Sequence, residues 1–268
     1  MKLKFILAIA FVSTLFSCSS DDSNGNTPEN DTTYLPLKTG NYWTYDVNGE
    51  NVAERDSLYI SKDTVINSKD YKRFETLNQP FGFFSNSLNK NGVRVSGNSV
   101  LLSGTAGLNL GDVFPIDLTL NDFVVFKENA SNGEQLSSVS GIIEQDYQGY
   151  PLKLEYTMKS TSVESLPSFT SPNNDVYTDV KKVKTILNLK ISSTVTIQGV
   201  PFPLVITIMN PQDVVVSYQY YAKNIGMVYA NTTINYELQD LSSYGVTLPI
   251  PLTGSQLQEE FLDTYSID

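Results

Sequence analysis

The side chains that could carry chemistry in this sequence are mostly carboxylates. The chain has 29 Asp and Glu, 18 Lys and Arg, no His and one Cys, which gives a formal net charge of -11. Without histidine there is no Ser-His-Asp triad and no His-ligated metal site, and one cysteine excludes an intrachain disulfide. The acidic balance argues against nucleic acid, because phosphate neutralisation needs clustered Lys and Arg. We therefore predict no cofactor and no nucleic-acid partner.

Carboxylates leave two possibilities open. A glycosidase-like hydrolase needs two acids about 5–10 Å apart in a cleft. Separately, Asp112, Asp117 and Asp122 recur in one region, and Asp175 and Asp179 lie close together in another. Either set has the oxygen ligands that a hard cation prefers. Solvated acids in turns are the simpler interpretation, so we assign no catalytic and no metal-binding residue.

The one cysteine has a position that suits lipidation. Lys2 and Lys4 precede an apolar run over residues 5–16, which is typical of an export signal and too short for an ordinary membrane span. The run ends Leu15-Phe16-Ser17-Cys18, which resembles a bacterial lipobox. We predict that residues 1–17 are a lipoprotein signal peptide and that Cys18 is the lipid attachment site. An ordinary secretory signal with a chance cysteine is the alternative.

Residues 18–33 are predicted to be the lipidated cysteine and a disordered tether. Residues 19–33 read SSDDSNGNTPENDTT, with no apolar residue except Pro28, so they cannot contribute to a core. The acids Asp21 and Asp22 resemble the export tag of surface-exposed Bacteroidota lipoproteins. This resemblance implies an outer membrane lipoprotein displayed on the cell surface, with a periplasm-facing anchor as the alternative.

Residues 34–268 are predicted to form a single antiparallel β domain. Apolar and polar residues alternate over Leu152–Met158, Val183–Ile197 and Val228–Leu238, which is typical of strands buried on one face. We expect an all-β fold, mainly antiparallel, with little helix: a curved sheet, a half-barrel or a β-sandwich. Residues 160–180 are predicted to be a long exposed loop, and residues 255–262 to form a turn or two of helix.

Two segments of the body resemble a known group of proteins. The run Leu35-Pro36-Leu37-Lys38-Thr39-Gly40-Asn41-Tyr42-Trp43-Thr44-Tyr45 is similar to the opening of many uncharacterised Bacteroidota envelope lipoproteins. A late segment of that group resembles Tyr220-Tyr221-Ala222-Lys223-Asn224-Ile225-Gly226-Met227-Val228. Some members resemble the half-barrel of lipoprotein carriers. The resemblance implies fold class and location, and it implies no activity.

Aromatic residues in these and other segments have three interpretations. Trp43 and Tyr45 share a strand face, and a lone tryptophan there is most often a core anchor. Phe81, Phe83 and Phe84 crowd one segment, and Tyr218, Tyr220 and Tyr221 crowd one strand. Such rings have three possible roles: they fill the core of a large β domain, they line a cup that binds an apolar ligand, or they form a platform that binds sugar rings.

Three functions are consistent with the sequence. The preferred one is a non-enzymatic binding or scaffold lipoprotein that is attached to the membrane through Cys18. One form of this hypothesis is that it binds an apolar small molecule. A surface module that binds a glycan or a protein is the second. A carboxylate-dependent hydrolase is the third, and it requires paired acids with raised pKa in a cleft.

Overall fold

The computed structural model describes residues 34–50, 53–110, 114–147, 149–196, 201–242 and 250–268. The predicted signal peptide, Cys18 and the tether lie outside the described residues. None of the described residues belongs to a helix that is long and apolar enough to span a membrane.

The described residues form twelve strands and one short helix. In chain order they are β1 (Tyr42–Gly49), β2 (Ala53–Ile66), β3 (Lys69–Thr76), α1 (Phe83–Leu88), β4 (Gly92–Ser96), β5 (Ser99–Leu110), β6 (Phe114–Lys127), β7 (Gln135–Tyr147), β8 (Tyr150–Thr170), β9 (Val176–Val195), β10 (Leu204–Ala222), β11 (Gly226–Glu237) and β12 (Thr253–Ser266).

All twelve strands belong to one antiparallel sheet. Their order is β6-β5-β4-β3-β2-β1-β12-β11-β10-β9-β8-β7. Neighbouring strands are consecutive in the chain except for β1 and β12, and the consecutive strands β6 and β7 are the two edges of the sheet. The sheet curls into a nearly closed barrel shape. Its two terminal strands approach each other, and the Ser160 hydroxyl of β8 donates a hydrogen bond to the Val124 carbonyl of β6. The predicted all-β antiparallel class is confirmed.

Two-residue alternation predicts the central strands well. In β9 the side chains of Val183, Leu187, Leu189 and Ile191 are buried, whereas Lys190 between them is partly exposed. The predicted loop over residues 160–180 is wrong, because β8 continues to Thr170 and β9 begins at Val176. Ser and Thr make this stretch look like a loop, yet such small polar side chains also fit a pleated sheet when they find partners.

The predicted helix over residues 255–262 is also wrong. These residues belong to β12, in which Gln258, Glu260 and Leu262 alternate as buried positions. Because Gln258 and Glu260 are polar, the alternation of apolar and polar residues that predicts a strand is absent from this part of the sequence. The helix of the structure is α1 instead, one and a half turns between β3 and β4.

The two segments of the family resemblance meet at one end of the barrel. Trp43 is fully buried, and its indole N–H donates to the Ile225 carbonyl, with 2.6 Å between nitrogen and oxygen. The Tyr45 hydroxyl donates to the Met227 carbonyl at 3.1 Å. Gly226 lies directly against the indole with φ +120°, where a side chain would be strained. The core-anchor interpretation of Trp43 is confirmed.

The barrel therefore has two distinct ends. The described chain begins at the end where β1 begins, and the side chains of Tyr34, Leu35 and Leu37 are buried in the core there. We call this the entry end. Since β3 runs away from it, residues 77–91 and α1 approach the interior from the opposite end, which we call the far end.

Candidate functional site

Residues 81–88, including α1, fill the barrel interior without pairing as a strand; we call them the plug. The backbone of the plug is attached to β2 and β12 on one side of the interior. Its Phe83 side chain lines a small cavity together with residues of β5, β6, β8 and β9 on the other side. The plug thus crosses the interior from wall to wall.

Asp56 of β2 holds the beginning of the plug. Its two carboxylate oxygens accept hydrogen bonds from the N–H groups of Phe81 and Gly82, at 2.9 and 2.8 Å. Only 3% of Asp56 is exposed. Leu58 and Ile60 follow it at two-residue spacing on the same buried face, so Asp56 occupies a position that the strand pattern assigns to an apolar side chain.

Gln258 and Glu260 of β12 hold the next three residues. Phe83 N–H donates to Gln258 Oε1 at 2.7 Å, and Phe84 N–H donates to Glu260 Oε1 at 2.7 Å. The N–H and hydroxyl groups of Ser85 both donate to Glu260 Oε2 at 3.3 Å. Five successive backbone donors of the plug are therefore satisfied by three wall side chains.

Gly82 is the point of closest approach between the plug and the wall. A Cβ built on Gly82 would lie 2.0 Å from Glu260 Oε2. The backbone there has φ -69°, an ordinary conformation, so space rather than strain requires glycine. No other residue type leaves room for the Glu260 carboxylate at this position.

The two acids of the site lie on either side of β1, on strands that both pair with it. Burial raises the pKa of Glu260 to about 7; hydrogen bonds from Phe84 and Ser85 lower it, and the neighbouring Asp56 carboxylate raises it. Burial also raises the pKa of Asp56 above its ordinary value, against the opposing hydrogen bonds from Phe81 and Gly82. Burial therefore opposes ionisation of both carboxyl groups, whereas the hydrogen bonds from the plug favour it.

Aromatic side chains join the plug to the rest of the core. The Phe84 ring packs edge-on against Tyr45 and Tyr221, with centroid distances of 5.9 and 6.1 Å. Tyr221 contacts Phe126 at 5.0 Å, and Phe126 contacts Tyr34 at 5.2 Å. A continuous row of rings thus runs from β1 through the plug to β6 and the entry end.

Little space remains beside the plug. The cavity next to Phe83 has a volume of about 10 Å³ and is lined by Ala106, Leu118, Met158 and Leu187 among others. That volume is about what one water needs. With the plug in place, this part of the interior is filled rather than an open cup.

The predicted aromatic clusters separate in the structure. Phe84 and Tyr221 belong to the core, Phe83 is partly buried and Phe81 is half exposed. On the outer face, Tyr220 instead joins a row with Phe169, Tyr229 and Phe261. Centroid distances along this row are 4.2 to 5.4 Å, and the rings cover one another. They do not offer flat exposed faces for sugar rings.

Two of the acids suggested as cation ligands, Asp122 and Asp175, have other partners. Asp122 accepts two hydrogen bonds from the Arg94 guanidinium, at 2.8 and 2.9 Å, and one from the Tyr71 hydroxyl. Asp175 accepts a hydrogen bond from the Asn173 amide within a turn. Asp112 lies outside the described residues. Within the part of the chain that the structure describes, no group of three or more acids is placed to hold a metal ion.

An open groove crosses the outer part of the sheet between β7 and β10. It has a volume of about 560 Å³ and a mixed lining of acidic, basic and polar side chains. Its central carboxylate, Glu155, is already paired with Lys190 at 2.7 Å and Lys153 at 3.2 Å. These three charged side chains therefore neutralise one another, and we assign no specific chemistry to the groove.

No protein-family model matches the chain, and no curated protein matches it. Among solved structures, the chain is similar to one described as a lipoprotein from Parabacteroides distasonis, at 11% identity and a TM-score of 0.38. The match covers 88% of this chain and 99% of the other. A likeness of this degree carries no argument about function.

Proposed function

We propose that this protein is a lipid-anchored lipoprotein of the cell envelope that acts as a non-enzymatic binding module, with the barrel interior as the site for an apolar ligand. The observation that carries the proposal is the attachment of the plug. Wall side chains hold its backbone, and it contributes no strand to the sheet. The plug can therefore leave while all twelve strands stay paired.

An apolar ligand would replace what the plug supplies. Phe84 and Leu88 are buried in the core, so a vacant interior would expose the apolar surfaces that now contact them. Burying such surface is favourable by about 25 cal/mol per Å². A ligand that binds only the open barrel shifts the population toward that state.

The position of the anchor supports this role. Cys18 and the tether precede Tyr34, which lies at the entry end, whereas the plug approaches the interior from the far end. An opening made by plug movement would lie at the end of the barrel opposite to Tyr34, the first described residue. A ligand would reach it without passing the anchored side of the molecule.

The hydrolase alternative has less support. Asp56 and Glu260 are the paired acids with raised pKa that a hydrolase would require. Both carboxylates are occupied by N–H groups of the plug, however, and neither faces an open cleft. We propose that the pair positions the plug and performs no catalysis.

Binding is tested with wild-type protein and Asp56→Ala, which loses two hydrogen bonds to the plug and leaves every plug side chain in place. We expect lipid to co-purify with the protein in native mass spectra. We also expect N-phenyl-1-naphthylamine, an apolar fluorescent probe, to bind Asp56→Ala severalfold more tightly than wild type. Glu155→Ala, a partly exposed acid of the groove between β7 and β10, is the matched control and should bind like wild type. Absence of both lipid and probe binding in every variant would refute an interior binding site.

The anchor is tested separately by metabolic labelling with an acyl probe. Wild-type protein is expected to incorporate the probe and to fractionate with membranes, and Cys18→Ala is expected to do neither. Protease added to intact cells should degrade the protein if it is displayed on the surface. Labelling that persists in Cys18→Ala would contradict the lipoprotein assignment.

A further inference from the structure

We propose that the plug is a pH-controlled latch: it stays seated while the Asp56–Glu260 pair holds a proton, and it is released as rising pH ionises both carboxyl groups. This inference rests on the proposed function, since it concerns the regulation of the same interior site. It adds a signal that opens the barrel.

The latch has its charged groups on the wall and its donors on the plug. Glu260 is 1% exposed and Asp56 is 3% exposed, so ionisation of both places two negative charges in the interior. The plug donates hydrogen bonds to these carboxyl groups from backbone N–H groups and from the Ser85 hydroxyl. None of these donors carries a full charge. Partial charges compensate a buried carboxylate less completely than a cation does.

The surroundings of the pair supply no positive charge. Tyr45 of β1 and Tyr221 of β10 face Glu260, and burial raises the pKa of both hydroxyls, so they remain neutral at physiological pH. Glu54 of β2 adds a further negative charge near Asp56. Among the described residues, none of the groups that act on either carboxyl is basic.

The direction of the pH effect follows from the two states. In the seated state burial raises the pKa of Glu260 to about 7. In the released state water reaches the carboxyl, and its pKa returns toward the ordinary value of about 4.3. The seated state therefore binds more protons, and rising pH favours release.

The size of the effect follows from the same two values. One proton exchanged between a pKa of about 7 and one near 4.3 raises the opening equilibrium constant about tenfold between pH 6 and pH 8. Below pH 6 the seated state dominates further. Above pH 8 the dependence levels off, because both states are then ionised.

Hydrogen exchange of the plug amides tests the latch on the full-length lipidated protein in detergent micelles. Peptides that cover residues 81–88 are compared between wild type and Glu260→Gln at each pH, which cancels the intrinsic pH dependence of exchange. We expect the ratio of exchange rates, wild type over Glu260→Gln, to rise about tenfold from pH 6 to pH 8. Glu155→Gln is the matched control and should follow wild type.

A second variant keeps the test decisive if Glu260→Gln fails to fold. Asp56→Asn removes the neighbouring negative charge, so the midpoint of the pH dependence is expected to move to lower pH. The latch would be overturned if the ratio of exchange rates, wild type over Glu260→Gln, stayed constant or fell as pH rises. An Asp56→Asn variant whose pH midpoint of exchange equals that of wild type would also overturn it. These readouts need no ligand, so a barrel that binds no probe but shows the expected exchange refutes the proposed function and retains the latch.

Discussion

At the scale of single residues, buried and partly buried carboxylates have opposite roles in this protein. Asp122 is held by a guanidinium, an ammonium from Lys69 and the Tyr71 hydroxyl. Hydrogen bonds from Arg94 are the main reason that the pKa of Asp122 lies well below its ordinary range. Asp56 and Glu260 have no cation and show the reverse shift. The charge of the partner, rather than burial alone, decides the direction.

Replacing Asp122 with Asn is expected to destabilise the fold. Three donors lose a charged acceptor, and hydrogen bonds to charged groups each contribute about 1.5–3 kcal/mol; because the side chain is a quarter exposed, we expect about 2 kcal/mol in total at pH 7. The lowered pKa means that this stability is present above the unfolded value near 3.9 and is lost as pH falls toward the folded value. Urea unfolding of wild type and Asp122→Asn should therefore converge below pH 4.

Asp63→Asn is the matched control for that series. Asp63 pairs with Lys72 at 2.7 Å, but 73% of its side chain is exposed, so the pair contributes little. A gap between wild type and Asp122→Asn that stays constant from pH 7 to pH 2 would contradict the assigned role of the charge.

Gly82→Ala tests the close approach of the plug to the wall. The new methyl group would overlap Glu260 Oε2, and overpacking of this kind costs about 1–3 kcal/mol. We expect urea unfolding to show a loss of about 2 kcal/mol. In Gly107→Ala, by contrast, the methyl group would lie 3.5 Å from Asp117 Oδ1, an ordinary contact. Equal stabilities of the two variants would show that the plug is not tightly seated at Gly82.

At the scale of elements, the plug combines residues 81–82 with one short helix, α1, and connects two regions of the core. Phe84→Ala removes a buried ring that contacts Tyr45 and Tyr221. Large-to-small changes at such positions cost about 3–5 kcal/mol, and we expect about 3 kcal/mol in denaturant unfolding. Phe81→Ala, three residues earlier and half exposed, should change the free energy of unfolding by less than about 1 kcal/mol. Similar losses at both positions would contradict the description of the plug.

The sequence predicts the strands of this fold better than the contacts between them. Leu152, Leu154 and Met158 follow strict alternation and were correctly assigned to a buried strand face. β12 was missed because Gln258 and Glu260 occupy interior positions, where periodicity expects apolar residues. The plug contacts were missed for a related reason: Phe84 and Glu260 are 176 positions apart, and the donor is a backbone group that carries no sequence signal.

One signal could have indicated the site. Asp56 lies in step with the buried Leu58 and Ile60, and Glu260 lies in step with the buried Leu262. A carboxylate in an apolar register of a strand is costly without donors, so it predicts an additional element that brings donors to it. Periodicity alone does not say which segment supplies them.

At the scale of the whole molecule, the pairing of β1 with β12 holds the sheet together. These strands lie next to each other in the middle of the strand order although they are the first and last strands of the described residues. Each half of the sheet is otherwise a simple succession of neighbouring strands. The central contact therefore depends on residues that are far apart in the sequence, and such contacts form slowly.

Deletion of residues 253–268 is expected to abolish cooperative folding. It removes β12, opens an unpaired edge on β1 and on β11, and takes away Gln258 and Glu260 from the plug. We expect urea unfolding followed by circular dichroism to show no cooperative transition. Deletion of residues 267–268 alone, which leaves β12 complete, should retain it. A cooperative transition in the longer deletion would show that the two halves fold independently.

The buried indole of Trp43 gives the protein an internal optical reporter. It is the only tryptophan of the chain, it is fully enclosed, and it packs against Phe74 and Gly226, which do not belong to the plug. Its emission should therefore be blue in the native protein and should stay blue when the far end opens. A red shift of this emission would indicate that the contact between the β1 region and the β10–β11 turn has been lost. One fluorescence measurement therefore distinguishes plug release from unfolding.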